Sequence, residues 1–345
     1  MSRPTPLHHR ALALARRHVL ASASLVTLLW GLGRVLGDGD LVSSLLFYLP
    51  SVGIALAWLS VALLDRRRAL RRVAPLLAAA FLTQAVLSDW TPHRRISDAT
   101  KVDGELLLVQ WNLFRNFLPW SSKISRLRSL EADVYLLNEL PRQVTRGNWA
   151  LKLGPGFNYV LGDLLAVACR GEILEHAFAA RDGLQTLKAV CRIDGRDLKI
   201  WTVDISASPF MLRRPILDRL RAQIEAEQPD LVGGDFNTPR RSSGLRTLPA
   251  GYEHAYLLAG SGWPYNWPCP LPMLDLDQLL VGSRVDALEH RQDATPVSDH
   301  RLQTLRFWPR PEPSDLGAPN LDRDAESGQG DGAVYQPQEE LEGLR

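Results

Sequence analysis

Between residues 41 and 64 the chain runs for 24 residues, LVSSLLFYLPSVGIALAWLSVALL, without one charged side chain. At a helical rise of about 1.5 Å per residue, such a run is long enough to cross the roughly 30 Å hydrocarbon core of a bilayer. Residues 19–36 form a second apolar run, interrupted only by Arg34 near its end, where a long side chain can snorkel to the interface. Residues 73–87 form a third, shorter and less apolar. Three crossings are expected within residues 1–90. A cleaved leader would be the other explanation of the run at 19–36, the first along the chain. No small-x-small cleavage site follows it, however, and a further apolar span does.

The charges orient these spans. Arg10, Arg16 and Arg17 precede the first, and Arg66, Arg67, Arg68, Arg71 and Arg72 crowd the turn between the second and third. The excess of positive charge on cytoplasmic loops then predicts a cytoplasmic N-terminus and Arg-rich turn, and an extracytoplasmic remainder; Arg94 and Arg95 weigh against this but are outnumbered. Residues 1–95 hold 12 Lys and Arg against 4 Asp and Glu, residues 310–345 hold 3 against 9, and the middle is balanced at 25 against 25. A protein that neutralises many phosphates along a duplex needs a basic face, so nucleic acid is disfavoured as a partner of the middle region.

After a polar linker at 91–103, short strand-like runs alternate with helical patterns, the signature of an α/β domain. Strands are expected at 105–111, 134–138, 164–169, 186–193, 198–205, 230–236, 277–281 and 302–307. Ile124, Leu127 and Leu130 space one helix face, and Ile216, Leu220 and Ile224 another, with Pro215 suited to its first turn. The runs flanking Asp194-Gly195 read as a hairpin, so the sheet is expected to be mixed or antiparallel. Residues 309–345 are rich in Pro, Gly, Asp and Glu and cannot build a core, which predicts a disordered acidic tail. Three cysteines are too few for a disulfide framework and lack zinc-site spacing, although one Cys169–Cys191 bridge is compatible with the count.

Polar residues recur where these strands begin or end. Asn112 closes LLLVQWN, Glu139 closes DVYLLNE, Asp235 and Asn237 sit in GGDFNTP, Asp277 opens a strand within LDLDQLLVG, and SDH holds Asp299 and His300. Singly, each suits a turn or cap. In this order they resemble the endonuclease/exonuclease/phosphatase superfamily, over about residues 104–308. The resemblance implies a four-layer α/β (α+β) sandwich, two mixed sheets face to face with helices outside. It also implies a Mg²⁺- or Mn²⁺-dependent phosphoesterase with Glu139, Asn112 and Asp299 on the metal side. Asp235 would orient or deprotonate water, Asn237 would donate to a phosphoryl oxygen, and His300, held by Asp277, would contact phosphate or move a proton. The partner implied is a phosphoester, with a lipid headgroup or small extracellular ester favoured over nucleic acid.

Two departures from the family pattern stand out. Relatives carry His at the end of a strand where this chain has Asp204, in Trp201-Thr202-Val203-Asp204. A carboxylate there repels a phosphate unless it is neutralised, so Asp204 recruits a second metal, serves another leaving group, or marks lost activity in a domain kept as a binding platform. In Trp263-Pro264-Tyr265-Asn266-Trp267-Pro268, Asn266 stands where many relatives have Thr; this loop either lines a cleft or forms a packed lid.

Overall fold

The structure, a computed structural model, describes residues 7–92, 104–114, 119–145 and 153–310. The expected tail, from residue 311, and most of the expected linker lie outside the described residues. Four helices come first, α1 (Leu7–Leu36), α2 (Leu41–Phe47), α3 (Ser51–Leu64) and α4 (Arg68–Asp89). The run at 41–64, expected as one span, is broken into α2 and α3, which meet at 60°. Pro50 is the cause: it has no N–H to donate, and it forces the preceding residue out of the helical region. α2 starts on a capping box, with the Asp40 side chain accepting from the Val42 and Ser43 amides. By length and composition, Leu14–Leu36 and Arg68–Ser88 could each cross a membrane, and the bent pair only if its halves count as one span.

Ala23, Ile54, Trp58, Val61, Ala74 and Ala78 join α1, α3 and α4 into one apolar cluster. The Trp58 indole donates to Thr27 Oγ1 at 2.9 Å, which satisfies its only polar atom inside that cluster. Gly33 lets α1 touch α2: a Cβ there would lie 2.3 Å from the Leu46 carbonyl carbon. The outward faces are the reverse of a soluble bundle, with Val35 85%, Leu63 77% and Leu87 80% exposed.

The rest is a sandwich. One six-stranded sheet has the order β13-β14-β2-β3-β5-β4, from β2 (Leu106–Asn112), β3 (Val134–Asn138), β4 (Phe157–Gly162), β5 (Leu165–Arg170), β13 (Val285–Asp293) and β14 (Leu302–Pro309). The other has the order β10-β12-β9-β8-β7-β6, from β6 (Glu172–Arg181), β7 (Leu184–Ile193), β8 (Arg196–Ile205), β9 (Leu231–Asp235), β10 (Glu253–His254) and β12 (Asp277–Val281). A two-residue β1 (Thr91–Pro92) pairs with β11 (Ser261–Gly262). β2 with β3 and β8 with β9 are parallel, and the other neighbours are antiparallel, so both sheets are mixed. The β7–β8 hairpin turns on Asp194 and Gly195, both at positive φ, the conformation that the tight hairpin turn requires. The strands missed from sequence are β4 and β6, with exposed or irregular faces, the bulged β13, and the two-residue β1, β10 and β11.

Between the sheets lies the main core, from Leu108, Leu136, Leu187, Ile200, Leu231 and Leu279 among others. Outside one sheet pack α5 (Trp120–Arg128) and α6 (Arg142–Thr145), and outside the other α7 (Arg214–Glu227) and α8 (Ser243–Arg246), which makes four layers. A short α9 (Ala255–Ala259) precedes β11. Cys169 and Cys191 meet in the inter-sheet core as free thiols. The helical region is clasped to the sandwich at one end: the Asp38 carboxylate accepts from the Ser243 amide at 3.0 Å, and Arg241 Nη2 donates to the Phe47 and Leu49 carbonyls. Val52 of α3 and Ala85 of α4 pack on Tyr265. Because the start of α3 and the end of α4 lie there together, the Arg-rich turn sits at the opposite end of the bundle.

His254 and His290 are buried, and burial holds both imidazoles neutral down to about 4, against an ordinary 6.5. The unfolded chain therefore binds protons that the fold refuses, and stability is complete above pH 6.5 and drains as pH falls toward 4. Each residue is worth about 3 kcal/mol over that window, order of magnitude, at about 1.36 kcal/mol per tenfold change in proton affinity. Thermal unfolding of the detergent-solubilised chain is expected to drop steeply through this range, and less so in His290→Gln. A profile identical in the two proteins would contradict it.

Candidate active site

Strand alternation points Leu108, Gln110 and Asn112 to the same face of β2, and Leu231, Gly233 and Asp235 to the same face of β9. Along both rows the inter-sheet space changes from apolar to polar as it nears one rim. Register then gathers the ends. Asn112 lies level with Asn138, Asp204 with Asp235, and Asp277 directly across from Asp235. Beneath the rim lie buried polar side chains: Gln303 Nε2 donates to Gln110 Oε1 at 2.7 Å within one sheet, and Asn138 Nδ2 crosses to the other sheet, donating to the Val203 carbonyl at 2.6 Å. The paired glycines before Asp235 have a steric reason, since Gly234 has φ +145° and a Cβ there would fall 2.0 Å from the Val203 oxygen.

At the rim, Asn112 is wholly buried and reaches across the sandwich. Its Nδ2 lies 2.9 Å from Asp235 Oδ2 and 3.3 Å from Glu139 Oε1, so one amide holds two carboxylates within two hydrogen-bond lengths of each other. Its Oδ1 accepts from the Phe114 amide. The Asn237 amide N–H donates to Asp235 Oδ1 at 2.8 Å, while Asn237 Nδ2 is tied to the Ile205 carbonyl at 2.8 Å. His300 Nδ1 and Asp277 Oδ2 are 2.7 Å apart, and His300 Nε2 faces Asp299 Oδ1 at 4.0 Å. Ser298 Oγ donates to the Asn112 carbonyl and accepts from the His300 amide, locking the SDH turn to β2.

Burial, with Asp277 alongside, lifts the Asp235 carboxyl to about 6. Burial also works against charge on His300, but the Asp277 carboxylate outweighs it, and the imidazole keeps its proton up to about 10. Ligand atoms of Asp235, Asp277 and His300 lie within 4.8 Å of one another, a spacing that suits a metal ion. An imidazolium has no lone pair to give, however, so these three are better suited to handling a proton. Hard oxygens for a divalent cation come from the other side, where Glu139 and Asp299 line the same cleft and Asp299 Oδ1 is buried without a hydrogen-bond partner among the described residues. Those donors fit Mg²⁺ or Mn²⁺.

Of the eight residues singled out from sequence, Glu139, Asp235, Asn237, Asp299 and His300 line one cleft of about 360 Å³, and Asn112 and Asp277 hold them from behind. Asp204 is half-buried beside Asp235 in the strand register, outside the trio with metal-like spacing. The aromatic loop divides its work. Trp267 lines the cleft and its indole donates to Asp299 Oδ2, whereas Trp263 and Tyr265 pack toward Val52 of α3 and Ala85 of α4. Asn266 is wholly buried: its Oδ1 accepts from the Leu276 and Asp277 amides and its Nδ2 donates to the Asp277 carbonyl. Sequence reasoning missed Arg213, a buried guanidinium at the cleft that donates to the Ser208, Met211 and Asn237 carbonyls. It also missed Lys123, whose ammonium holds the Leu113 and Phe114 carbonyls after β2. A charge on the buried face of a short helix was the available signal for Lys123.

No protein-family profile matches the chain, and no curated protein matches it. Among solved structures it is similar to a humanised TDP2 of D. rerio (TM-score 0.48, 19% identity, 59% of this chain and 99% of that one). It is likewise similar to an endonuclease/exonuclease/phosphatase of Bacteroides vulgatus (0.48, 16%, 60% and 99%). The human Nocturnin catalytic domain is a third (0.47, 16%, 60% and 96%). These are endonuclease/exonuclease/phosphatase proteins. The present chain is itself an α/β sandwich of two mixed sheets.

Asn266→Ala removes three hydrogen bonds from the start of β12 and strands the buried Leu276 and Asp277 amides. It is expected to cost about 2–4 kcal/mol of stability in urea unfolding of the full chain. A change under about 0.5 kcal/mol would show that Asn266 does not hold the Asp277 strand.

Proposed function

We propose that the chain is a membrane-anchored, divalent-metal-dependent phosphoesterase with its catalytic domain on the extracytoplasmic side. The observation that carries the chemistry is the shared grip of Asn112 on Asp235 and Glu139, with the Asp277–His300 pair opposite. A phosphoester resists hydrolysis because its anionic oxygens repel a nucleophile, so the site must supply positive charge and a base for water. Asp235, lifted to about 6, is a base matched to neutral pH, and Asn237 fixes its orientation. His300, kept charged by Asp277, presents a cationic Nε2 toward the cleft, able to hold a phosphoryl oxygen or give a proton to the departing one. Glu139 and Asp299 would hold the metal, with Asn112, expected on the metal side, positioning Glu139 through its amide N–H; when bound the metal would supply charge neutralisation for the phosphoryl group. Asp204, level with Asp235, adds a further acid beside Asp235, Glu139, Asp277 and Asp299 and is the one residue favouring the rival reading, a domain kept as a binding platform.

The anchoring rests on the outward leucines and valines of α1, α3 and α4, a surface far too apolar for water. The clasp at the Asp38 end, opposite the Arg-rich turn, together with the positive-inside tendency, supports an extracytoplasmic placement of the domain.

Full-length protein assayed on bis(p-nitrophenyl) phosphate with Mg²⁺ or Mn²⁺ is expected to turn over and to stop with chelator. Asp235→Ala should lose about a hundredfold or more, and Asp204→Ala about tenfold. Turnover unaffected by Asp235→Ala would remove the mechanism, and calorimetry showing no Mg²⁺ binding to a cooperatively folded chain would favour the platform. For orientation, a phosphatase reporter that works only outside the cytoplasm, fused after Ser97, should be active, and a silent but expressed fusion would reverse the topology.

A further inference from the structure

The cleft above Asp235 and His300 is not made by the sandwich alone. Leu41, Leu45 and Tyr48, from α2 and the turn after it, supply part of its wall. These residues belong to the uncharged run that the sequence assigns to the membrane. α2 also faces outward, with Val42 66% and Leu45 44% exposed, so Leu45 borders the cleft and the outer surface at once. On the domain side Pro209 and Met211 line the cleft, while Phe210 between them stands 81% exposed. An aromatic ring so open is unfavourable in water and at home in a bilayer interface. An apolar route therefore runs from the outer flank of α2 to the carboxylates.

We infer, resting on the phosphoesterase reading above, that the substrate is a long-chain lipid carrying a phosphoester, taken sideways from the leaflet around α2. Its phosphoryl group would sit among Asn237, Asp235 and His300, and its chain would lie along Leu41 and Leu45. A strand of nucleic acid calls for a basic groove that tracks several phosphates, whereas the charges of residues 96–309 cancel and, beside the aromatic Tyr48, Phe114 and Trp267, the α2 side of the cleft is walled by the aliphatic Leu41 and Leu45. In the reaction the oxygen of water bonds to phosphorus and the ester P–O bond breaks. The departing oxygen leaves as an alcohol with one of the water's protons. Leu41 and Leu45 are then specificity-determining residues contributed by the anchor itself.

The test uses the full chain in nanodiscs with Mg²⁺ and three kinds of probe: bis(p-nitrophenyl) phosphate, long-chain phosphatidylglycerol, phosphatidylethanolamine, phosphatidylcholine and phosphatidate, and the corresponding glycerophosphoesters without acyl chains. At least one lipid is expected to be hydrolysed about tenfold or more faster than its chain-free counterpart. Leu45→Asp should lower the ratio of lipid to bis(p-nitrophenyl) phosphate turnover about tenfold. Leu45→Trp, which fills the wall without charging it, should lower the same ratio and covers the case in which the Asp variant does not fold. Chain-free esters cleaved as fast as the lipids, or a ratio unmoved in a folded variant, would overturn the inference. Hydrolysis of bis(p-nitrophenyl) phosphate with every lipid untouched would overturn it while leaving the phosphoesterase standing. Silence toward all probes would bring down both.

Discussion

Register between strands is the constraint on which the site depends. Two parallel pairs, β2 with β3 and β8 with β9, bring their C-terminal ends to one edge, and antiparallel neighbours begin where they stop. Since side chains alternate faces, a slip of one residue in β9 would turn Asp235 out of the inter-sheet space and leave Asn112 with an unpaired amide in a dry interior. The apolar core and the polar rim are thus one device. The rows that pack Leu108 and Leu231 against each other also place Asn112 and Asp235 at bonding distance.

Electrostatics follows from that placement. Burying Asp235, Asp277 and His300 together would be costly if all were charged without partners, and the arrangement shares the cost: one carboxyl rises to about 6 while the imidazole keeps its proton to about 10. The outcome is a carboxyl and an imidazole on one rim, each pushed well above its ordinary proton affinity. Asn112, neutral and rigidly held, keeps Glu139 and Asp235 close without adding a further charge.

Much of this was legible in the residues. The strands that border the site, at 134–138 and 277–281, coincide with β3 and β12, because buried strands read as clean apolar runs bounded by polar ends. The hairpin at Asp194-Gly195 announced itself through turn chemistry. β4 and β6 escaped because their exposed faces carry no apolar alternation. The break at Pro50 was written in the chain, yet an apolar run that long reads as one span unless the proline is given its steric weight. Arg213 gave no local sign, since its partners are backbone carbonyls supplied by tertiary structure. Nor could sequence show that Leu41 and Leu45 turn toward residues some two hundred positions later, because membrane-like composition conceals which side of a helix meets protein.

The contact at Gly33 has a consequence for how such a protein can evolve. With α1 pressed against the backbone of Leu46, and Arg241 of the sandwich bonded to the Phe47 carbonyl, α2 is held by a neighbouring helix as well as by the domain whose cleft it borders. Helical region and cleft therefore share a part. Proteolysis between α2 and the sandwich would release a particle with the acids of the cleft and its histidine intact but one side of the cleft left behind with the helices.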